Sequence, residues 1–169
     1  MEQAPRVPPP VLIGTTGPKG LAVADRHADG ILLPEGCGSA FVKWAIGQMR
    51  MSSTFRRVVY SWFSIDDDPV RARHRLMPAI DLWLEEDLYP HPKRAAGISG
   101  PPDPGDPARL ALADTISVCG DREKCAEAVQ QLAAAGADTI VLVVPGDDVE
   151  PQLERFAREV MPLLTNPGR

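Results

Sequence analysis

Two short segments rich in glycine, proline and hydroxyl side chains could bind a phosphate group. The first, Gly14-Thr-Thr-Gly-Pro-Lys-Gly20, and the second, Pro34-Glu-Gly-Cys-Gly-Ser39, each follow a short apolar run. Small residues let a phosphate approach the backbone, hydroxyl groups and Lys19 can contact it, and a helix that begins there presents free N–H groups. The first segment lacks the Gly-Lys-Ser/Thr ending of a Walker loop. These residues therefore suggest an anion-binding loop that is not a Walker loop.

Each segment also has a simpler interpretation, a strand–turn–helix junction that needs glycine only for steric reasons. For the first segment alone, this interpretation is favoured. The two segments together are a more specific signal of phosphate binding than either segment alone, because loops after neighbouring parallel strands face one another across a ligand. In the second segment we interpret Glu35 as an exposed loop carboxylate rather than a ligand contact. Cys37, near a helix start, is a weak candidate nucleophile.

Other polar residues are expected to be structural. Asp66-Asp-Asp68 resembles a metal cluster, but carboxylates before Pro69 more often cap a helix, and we predict a cap. Residues 145–148 indicate a turn. The remaining candidates are expected to be surface or packing residues: His27, His74, Trp44, Trp62 and Trp83. With no nucleophile–base–acid arrangement, the chain is suited to bind part of a phosphorylated ligand but not, alone, to transform it.

Apolar strands that alternate with helices must position these residues. The pattern predicts strands at residues 11–14, 31–33, 58–65 and 139–144, the last buried on both faces, with a further extended piece at 115–119. It predicts helices at residues 21–28, 39–50, 69–88, 108–114, 121–136 and from 151 onward, capped by Ser39, Asp68 and Asp121. Pro78 is expected to bend or divide the third helix. This order predicts an α/β fold with parallel strands, one unit of four strand–helix repeats.

Residues 89–107 are expected to form a loop with six prolines and three glycines. A connection of that length is usually functional or mobile. We therefore consider it either a lid over a ligand or a mobile linker.

Length and composition exclude several classes of protein. A closed barrel of eight strand–helix units takes ~250 residues and rarely fewer than ~200, so 169 residues cannot contain a whole one. The net charge of −5 argues against a nucleic-acid partner. No apolar stretch is long enough to span a membrane, and the N-terminus does not resemble a secretory signal. Cysteines at 37, 119 and 125 without a CxxC pair indicate free thiols, so we expect a cytoplasmic protein.

Several runs of the sequence resemble the luciferase-like monooxygenase superfamily, and most closely the branch that uses the deazaflavin coenzyme F-420 (F420). The first runs are PPVLIGTTGPKGLA at residues 9–22 and RHADGILLPEG at 26–36. The later runs are TISVCGDREKCAE at 115–127, AAGADTIVLV at 134–143 and RFAREVMPLL at 155–164. They occur in the family's order and spacing and cover nearly the whole chain.

The resemblance implies that residues 1–169 are a single partial domain, the C-terminal half of a TIM-type barrel of which the family has eight units. It further implies that the loops after the family's fifth and sixth strands, which hold the cofactor phosphate, correspond to the two segments above. The implied cofactor-binding residues are Thr15, Thr16, Gly17, Pro18, Lys19, Pro34, Glu35, Gly36, Gly38 and Ser39. No catalytic residue is implied, because the family's catalytic side chains come mostly from the first half.

The implied activity is that of a flavin- or deazaflavin-dependent oxidoreductase acting on a small molecule, either a monooxygenase or a hydride-transfer enzyme, with F420 or FMN as cofactor. Catalysis is expected to need the missing N-terminal half or a partner. Four parallel strands leave two open edges and an uncovered face. A homo-oligomer or a second polypeptide is therefore expected to complete the barrel. The alternatives are a non-catalytic cofactor-binding or interaction module, and a truncated gene product without a separate function.

Overall fold

Five parallel strands and seven α-helices occur in the part of the chain that the structure describes, mostly in strand–helix order, which confirms the predicted α/β class. The computed structural model describes residues 8–50, 54–86, 88–100, 103 and 106–164. The strands are β1 (Leu12–Gly14), β2 (Gly30–Leu33), β3 (Arg56–Ile65), β4 (Val118–Gly120) and β5 (Thr139–Val143). The helices are α1 (Pro18–His27), α2 (Ser39–Gly47), α3 (Pro69–Glu85), α4 (Pro90–Ala95), α5 (Pro107–Ile116), α6 (Arg122–Ala134) and α7 (Val149–Arg155). A π turn (Phe156–Val160) and a 3₁₀ turn (Met161–Leu163) continue α7.

The strand register fixes the order of the sheet. Val58 and Val59 of β3 pair with residues of both β2 and β5, all in parallel. A strand has two edges, so β2 and β5 lie on opposite sides of β3, and the main sheet has the order β1-β2-β3-β5. Among the residues that the structure describes, the short β4 pairs only with residues 63–65 of β3. It is the extended piece predicted at 115–119, shifted toward the C-terminus because α5 continues to Ile116.

Two faces of the sheet have different surroundings. On one face, alternate strand residues pack with α1, α2 and α6 in a core cluster that includes Ile31, Val59 and Phe63. Within the described residues, the opposite face is covered only near the carboxyl end of β3, where Trp62 packs with residues of α3 and α5. The rest of that face, here called the open face, consists of the half-buried Leu12, Leu32, Val58, Tyr60 and Val141. These five residues belong to neither core cluster of the described chain.

The edge position of β5 overturns one prediction. Residues 139–144 were expected to be buried on both faces, yet no residue of β5 is fully buried. β5 lies at the end of the main sheet, and within the described residues it pairs with β3 alone. Its apolar composition is typical of a strand with a second neighbour, which the described residues do not supply.

The structure confirms two of the three predicted helix N-caps. Asp68 and Asp121 cap α3 and α6 as predicted, accepting hydrogen bonds from the backbone of Val70 (2.9 Å) and Lys124 (2.8 Å). The predicted Ser39 cap is wrong by one residue, since Gly38 is the N-cap and Ser39 the first residue of α2.

Pro78 does not divide α3, which runs unbroken from Pro69 to Glu85. Leu76, Ile80 and Leu84 are buried on both sides of the proline, and their packing outweighs the missing backbone hydrogen bond.

The segment 89–107 is not a single loop, which corrects the prediction. Residues 90–95 form α4, and Pro107 already belongs to α5. Pro90 occupies the first turn of α4, where a missing N–H costs nothing, and Lys93 and Arg94 lie in its last turn. Residues 101, 102, 104 and 105 of this segment lie outside the described part of the chain.

Candidate functional site

The two predicted segments lie side by side at the carboxyl ends of β1 and β2. The backbone N–H of Thr15 donates to the carbonyl of Leu32, at an N–O distance of 3.3 Å. The structure therefore brings the two segments together, as expected for loops after neighbouring parallel strands. We call residues 14–20 the first loop and residues 34–39 the second loop.

The first loop leaves space beside its backbone. A methyl group added at Gly14 or Gly17 would meet no atom closer than 3.9 Å, so neither position needs glycine for packing. Thr15, Thr16 and Gly17 are half-buried, whereas Pro18 and Lys19 are exposed. Gly20 differs, because a methyl group there would overlap the side chain of Thr15. Small residues thus line an accessible loop at the positions where an anion would approach.

The helix that follows the first loop begins with unused hydrogen-bond donors. Gly17 is the N-cap of α1, and Gly38 is the N-cap of α2; neither supplies a side-chain hydrogen bond. Among described helices of nine or more residues, the other three all begin with a capping aspartate. An anion near α1 or α2 would therefore meet free N–H groups and the positive end of the helix dipole.

The glycines of the second loop have a steric explanation. Gly36 adopts a φ of +79°, and a methyl group there would lie 2.6 Å from the indole ring of Trp83. A methyl group at Gly38 would lie 2.2 Å from the carbonyl oxygen of Thr115. The second loop is thus pressed against α3 and α5, which supports the simpler interpretation for these two glycines. Pro34, Glu35 and Ser39 are half-buried around them.

Helix α4, which was not predicted from the sequence, lies beside both loops. The His91 ring lies 3.9 Å from the position of a methyl group on Gly17 and stacks on Trp44 of α2, with ring centroids 5.3 Å apart. The Lys93 ammonium lies 5.5 Å from the centre of a Trp83 ring and donates to the carbonyl of Leu84 at 3.1 Å. The proline at the first position and the basic last turn were the available signals for this helix.

A separate cavity of about 520 Å³ lies beside α4. Its lining residues are Leu84, Pro90, Lys93, Arg94, Ile98, Ser99 and Gly100. None of them belongs to the first or second loop, so this cavity is distinct from the candidate phosphate site.

The cysteines are poor nucleophiles in this fold. Burial, reinforced by the nearby Glu35 carboxylate, raises the pKa of Cys37 far above its ordinary value. Burial also raises the pKa of Cys119 and of Cys125 to about 12. All three thiols are free, buried and protonated at neutral pH, so Cys37 is not an activated nucleophile.

The aspartates after β3 are structural, as predicted. Asp68 caps α3, while Asp66 accepts hydrogen bonds from the Arg71 guanidinium, which lower its pKa to about 2. Asp67 pairs with Arg155 at 2.8 Å. No group of carboxylates, imidazoles and thiols among the described residues could hold a metal ion.

Two histidines are surface residues and three tryptophans are packing residues, as predicted. His27 and His74 are exposed, whereas Trp62 and Trp83 are buried and Trp44 is half-buried. No described helix is long and apolar enough to span a membrane. The first loop is therefore an accessible loop at the carboxyl end of a parallel sheet, beside the start of α1, which has no side-chain cap.

A family model described as luciferase-like monooxygenase matches residues 1–139. The chain belongs to the luciferase-like monooxygenase family. This confirms the resemblance carried by the runs around the first and second loops.

Curated relatives of this luciferase-like chain are much longer than it is. It is 27% identical over 176 residues to the F420-dependent glucose-6-phosphate dehydrogenase of Intrasporangium calvum, a match covering 95% of this chain and 50% of the relative. The chain spans about half the length of the curated relatives it matches.

Solved structures with the same fold are also about twice as long as this chain. An F420-dependent secondary alcohol dehydrogenase in complex with an F420–acetone adduct superposes with a TM-score of 0.73 at 16% identity, covering 96% of this chain and 51% of that one. The oxygenating constituent of 3,6-diketocamphane monooxygenase from Pseudomonas putida, in complex with FMN, gives 0.57 at 18% identity, covering 92% and 49%. The luciferase-like chain has the fold of about half of these barrel enzymes, and its relatives are F420-dependent or FMN-binding.

Proposed function

We propose that this chain is the C-terminal, phosphate-holding half of an F420- or FMN-dependent oxidoreductase. The observation that carries the proposal is the first loop, where open space beside Gly14 and Gly17 meets the uncapped start of α1. The cofactors named for the relatives both carry a phosphate, which suits such a loop. The half-length match to these relatives supports a catalytic unit of which this chain is only one half.

Three groups of the first loop would bind the phosphate. The N–H groups at the start of α1 donate along the helix axis, the Thr16 hydroxyl can donate from the side, and the exposed Lys19 adds a positive charge. His91, beside Gly17, limits the loop on the side of α4. Strand β2, which leads into the second loop, would support the first loop through the hydrogen bond that the Thr15 N–H donates to the Leu32 carbonyl. Gly36 and Gly38 of the second loop serve packing.

Catalysis would need a second half. The bound cofactor supplies hydride transfer, or oxygen activation when it is FMN, and this chain's role is to bind and orient it. The described residues contain no activated thiol and no metal cluster, and their perturbed carboxylates are held by arginines. The three free cysteines suit a reducing compartment, so we also propose a cytoplasmic location.

Cofactor titration tests the proposal. Purified chain is titrated with F420 and FMN by fluorescence, and with riboflavin as the phosphate-free counterpart of FMN. We expect micromolar binding of F420 or FMN, and at least tenfold weaker binding of riboflavin if the phosphate is the main contact. A folded chain that binds none of the three would exclude the cofactor function and favour a non-catalytic interaction module or a truncated product.

A pair of lysine variants locates the site. Lys19→Gln removes the charge from the first turn of α1, whereas Lys43→Gln removes a charge from α2 that is also exposed. We expect Lys19→Gln to weaken cofactor binding about three- to tenfold, and Lys43→Gln to leave it unchanged. Equal effects of the two variants would place the cofactor away from the first loop.

A further inference from the structure

The segment between β3 and β4 lies where ligands of parallel α/β sheets bind. It contains α3, α4 and α5, and it packs on Trp62, which belongs to the same side of β3 as the open face. Trp62 lies near the carboxyl end of β3, and ligands of such sheets bind outside the carboxyl ends of the strands. A cavity formed by this segment is therefore well placed to receive a small molecule.

The cavity of about 520 Å³ beside α4 combines apolar walls with positive charge. Its volume is within the range of small-molecule sites. Leu84, Pro90 and Ile98 contribute apolar surface, whereas Lys93 and Arg94 contribute two cations. No carboxylate is among the described residues that line it, although the chain as a whole has a net charge of −5. The lining therefore favours a molecule that is partly apolar and negatively charged.

The ammonium group of Lys93 is held in place at this cavity. It donates to the carbonyl of Leu84 at 3.1 Å and to the carbonyl of Glu86, both at the C-terminal end of α3. An ammonium has three N–H donors, so one of them is left for a ligand. The two contacts therefore fix a positive charge at the cavity without the help of a ligand.

The guanidinium group of Arg94 has no partner among the described residues. Arg94 is exposed, and its side chain makes no hydrogen bond or ion pair with the described part of the chain. A cation in the last turn of α4 complements the helix dipole, which explains the charge but not the cavity beside it. Since a guanidinium binds carboxylate and phosphate groups through two parallel hydrogen bonds, Arg94 is the main candidate for binding an anion here.

We propose that this cavity binds a small organic anion, a carboxylate or phosphate with an apolar part, as the substrate of the proposed oxidoreductase. This inference rests on the proposed function, because the ligand is a substrate only if a cofactor binds at the first loop. Helix α4 takes part in both sites, since His91 lies beside Gly17 while Lys93 and Arg94 line the cavity. Substrate and cofactor phosphate would thus be bound next to the same short helix.

Binding of simple anions to the purified chain tests the site. Hexanoate and hexyl phosphate are titrated into the isotope-labelled chain, with hexanol as their neutral counterpart, and nuclear magnetic resonance follows the amides of residues 90–100. We expect saturable shifts for at least one anion, with a dissociation constant on the order of 1 mM. Hexanol is expected to bind at least fivefold more weakly, and the anion that binds more tightly identifies the preferred charged group. If neither anion shifts these amides, the inference is overturned.

Two arginine variants show whether the cavity holds the anion. Arg94→Gln removes the charge from the last turn of α4, and Arg26→Gln removes one from the last turn of α1, where it is also exposed. We expect Arg94→Gln to weaken anion binding at least fivefold and Arg26→Gln to leave it unchanged. Arg94→Lys should have a smaller effect, because it keeps the charge but loses the paired hydrogen bonds. Equal binding by Arg94→Gln and the wild type would refute the assignment to this cavity.

Competition with FMN separates this inference from the proposed function. Saturating FMN should leave the anion-induced shifts in place, because the cavity shares no residue with the first loop. Displacement of the anion by FMN would place both ligands at one site and overturn the inference. Anion binding by a chain that binds neither F420 nor FMN would support the anion site and refute the cofactor function. Cofactor binding without anion binding would refute the cavity alone.

Discussion

The carboxamide of Gln152 on α7 satisfies both backbone groups of Ile65 at the end of β3. Its Oε1 accepts from the Ile65 N–H at 2.7 Å, and its Nε2 donates to the Ile65 carbonyl at 3.1 Å. Gln152 is buried, so water cannot replace it. One side chain thus takes the place of a neighbouring strand and joins the C-terminal helix to the central strand.

Replacing Gln152 is therefore expected to destabilise the fold. Gln152→Ala leaves two buried backbone groups unpaired and should reduce the free energy of unfolding by about 2–4 kcal/mol. Urea denaturation followed by circular dichroism measures the change. Gln130→Ala, at an exposed position of α6, is the control and should change stability by less than about 0.5 kcal/mol. Equal stability of the two variants would contradict the role of Gln152.

The contact between Gly36 and Trp83 predicts a second stability effect. Gly36→Ala forces a positive φ on a residue with a side chain and places its methyl group 2.6 Å from the indole ring. We expect a loss of about 1–3 kcal/mol in thermal or urea unfolding. Gly47→Ala, at the end of α2 where no atom lies within 4 Å, should be neutral or stabilise by up to about 1 kcal/mol. If Gly36→Ala were tolerated equally well, the second loop would not be held by Trp83.

Acid should destabilise the protein through two carboxylates bound to arginine. Hydrogen bonds from Arg71 lower the pKa of Asp66 to about 2, and hydrogen bonds from Arg155 lower the pKa of Glu159 to about 2. A depressed pKa in the folded state stabilises the fold above the unfolded-state pKa of about 4, and the effect is lost as pH falls toward 2. The free energy of unfolding, measured in urea from pH 5 to pH 2, should therefore decrease over this range.

Matched variants test whether these two carboxylates, rather than other groups, cause the acid sensitivity. The double variant Asp66→Asn and Glu159→Gln should be less stable at pH 5 and should show a flatter dependence on pH. Glu154→Gln, at an exposed position of α7, should retain the wild-type slope. A double variant with an unchanged slope would assign acid sensitivity to other groups.

The thiols should be unreactive in the folded protein. All three cysteines are buried, and burial raises the pKa of each of them. Since the thiolate is the reactive form, Ellman's reagent at pH 8 should modify no thiol rapidly in the native state and all three after unfolding in guanidinium. A fast native thiol assigned to Cys37 by mass spectrometry would contradict its burial beside Glu35.

Local signals predicted the parts of the fold that local interactions determine. The β-branched run at residues 58–65 forms β3, and the aspartates before α3 and α6 form their caps, because caps and strand propensity depend on a few neighbouring residues. The adjacency of the two loops followed from the parallel order of β1 and β2.

Contacts between distant residues were not predictable in this way. Helix α4 is held by His91 stacking on Trp44, which lies 47 residues earlier, and no local pattern encodes that pairing. Likewise, only the approach of Trp83 shows that Gly36 serves packing rather than ligand access. The adjacency of the two loops was thus predictable from the sequence, but the difference between them depends on tertiary structure.

The pairing of β3 with β5 also has a consequence for how the chain folds. Val58 lies beside Thr139, so 81 residues separate strands that must meet in register. Contacts at such separation slow folding, because the intervening chain loses entropy before the pairing is formed. During synthesis, residues 58–62 remain without their C-terminal neighbour until residue 143 has left the ribosome. The nascent chain is therefore expected to leave one edge of its most β-prone segment unpaired while residues 63–143 are synthesised, and such unpaired edges favour aggregation and chaperone binding.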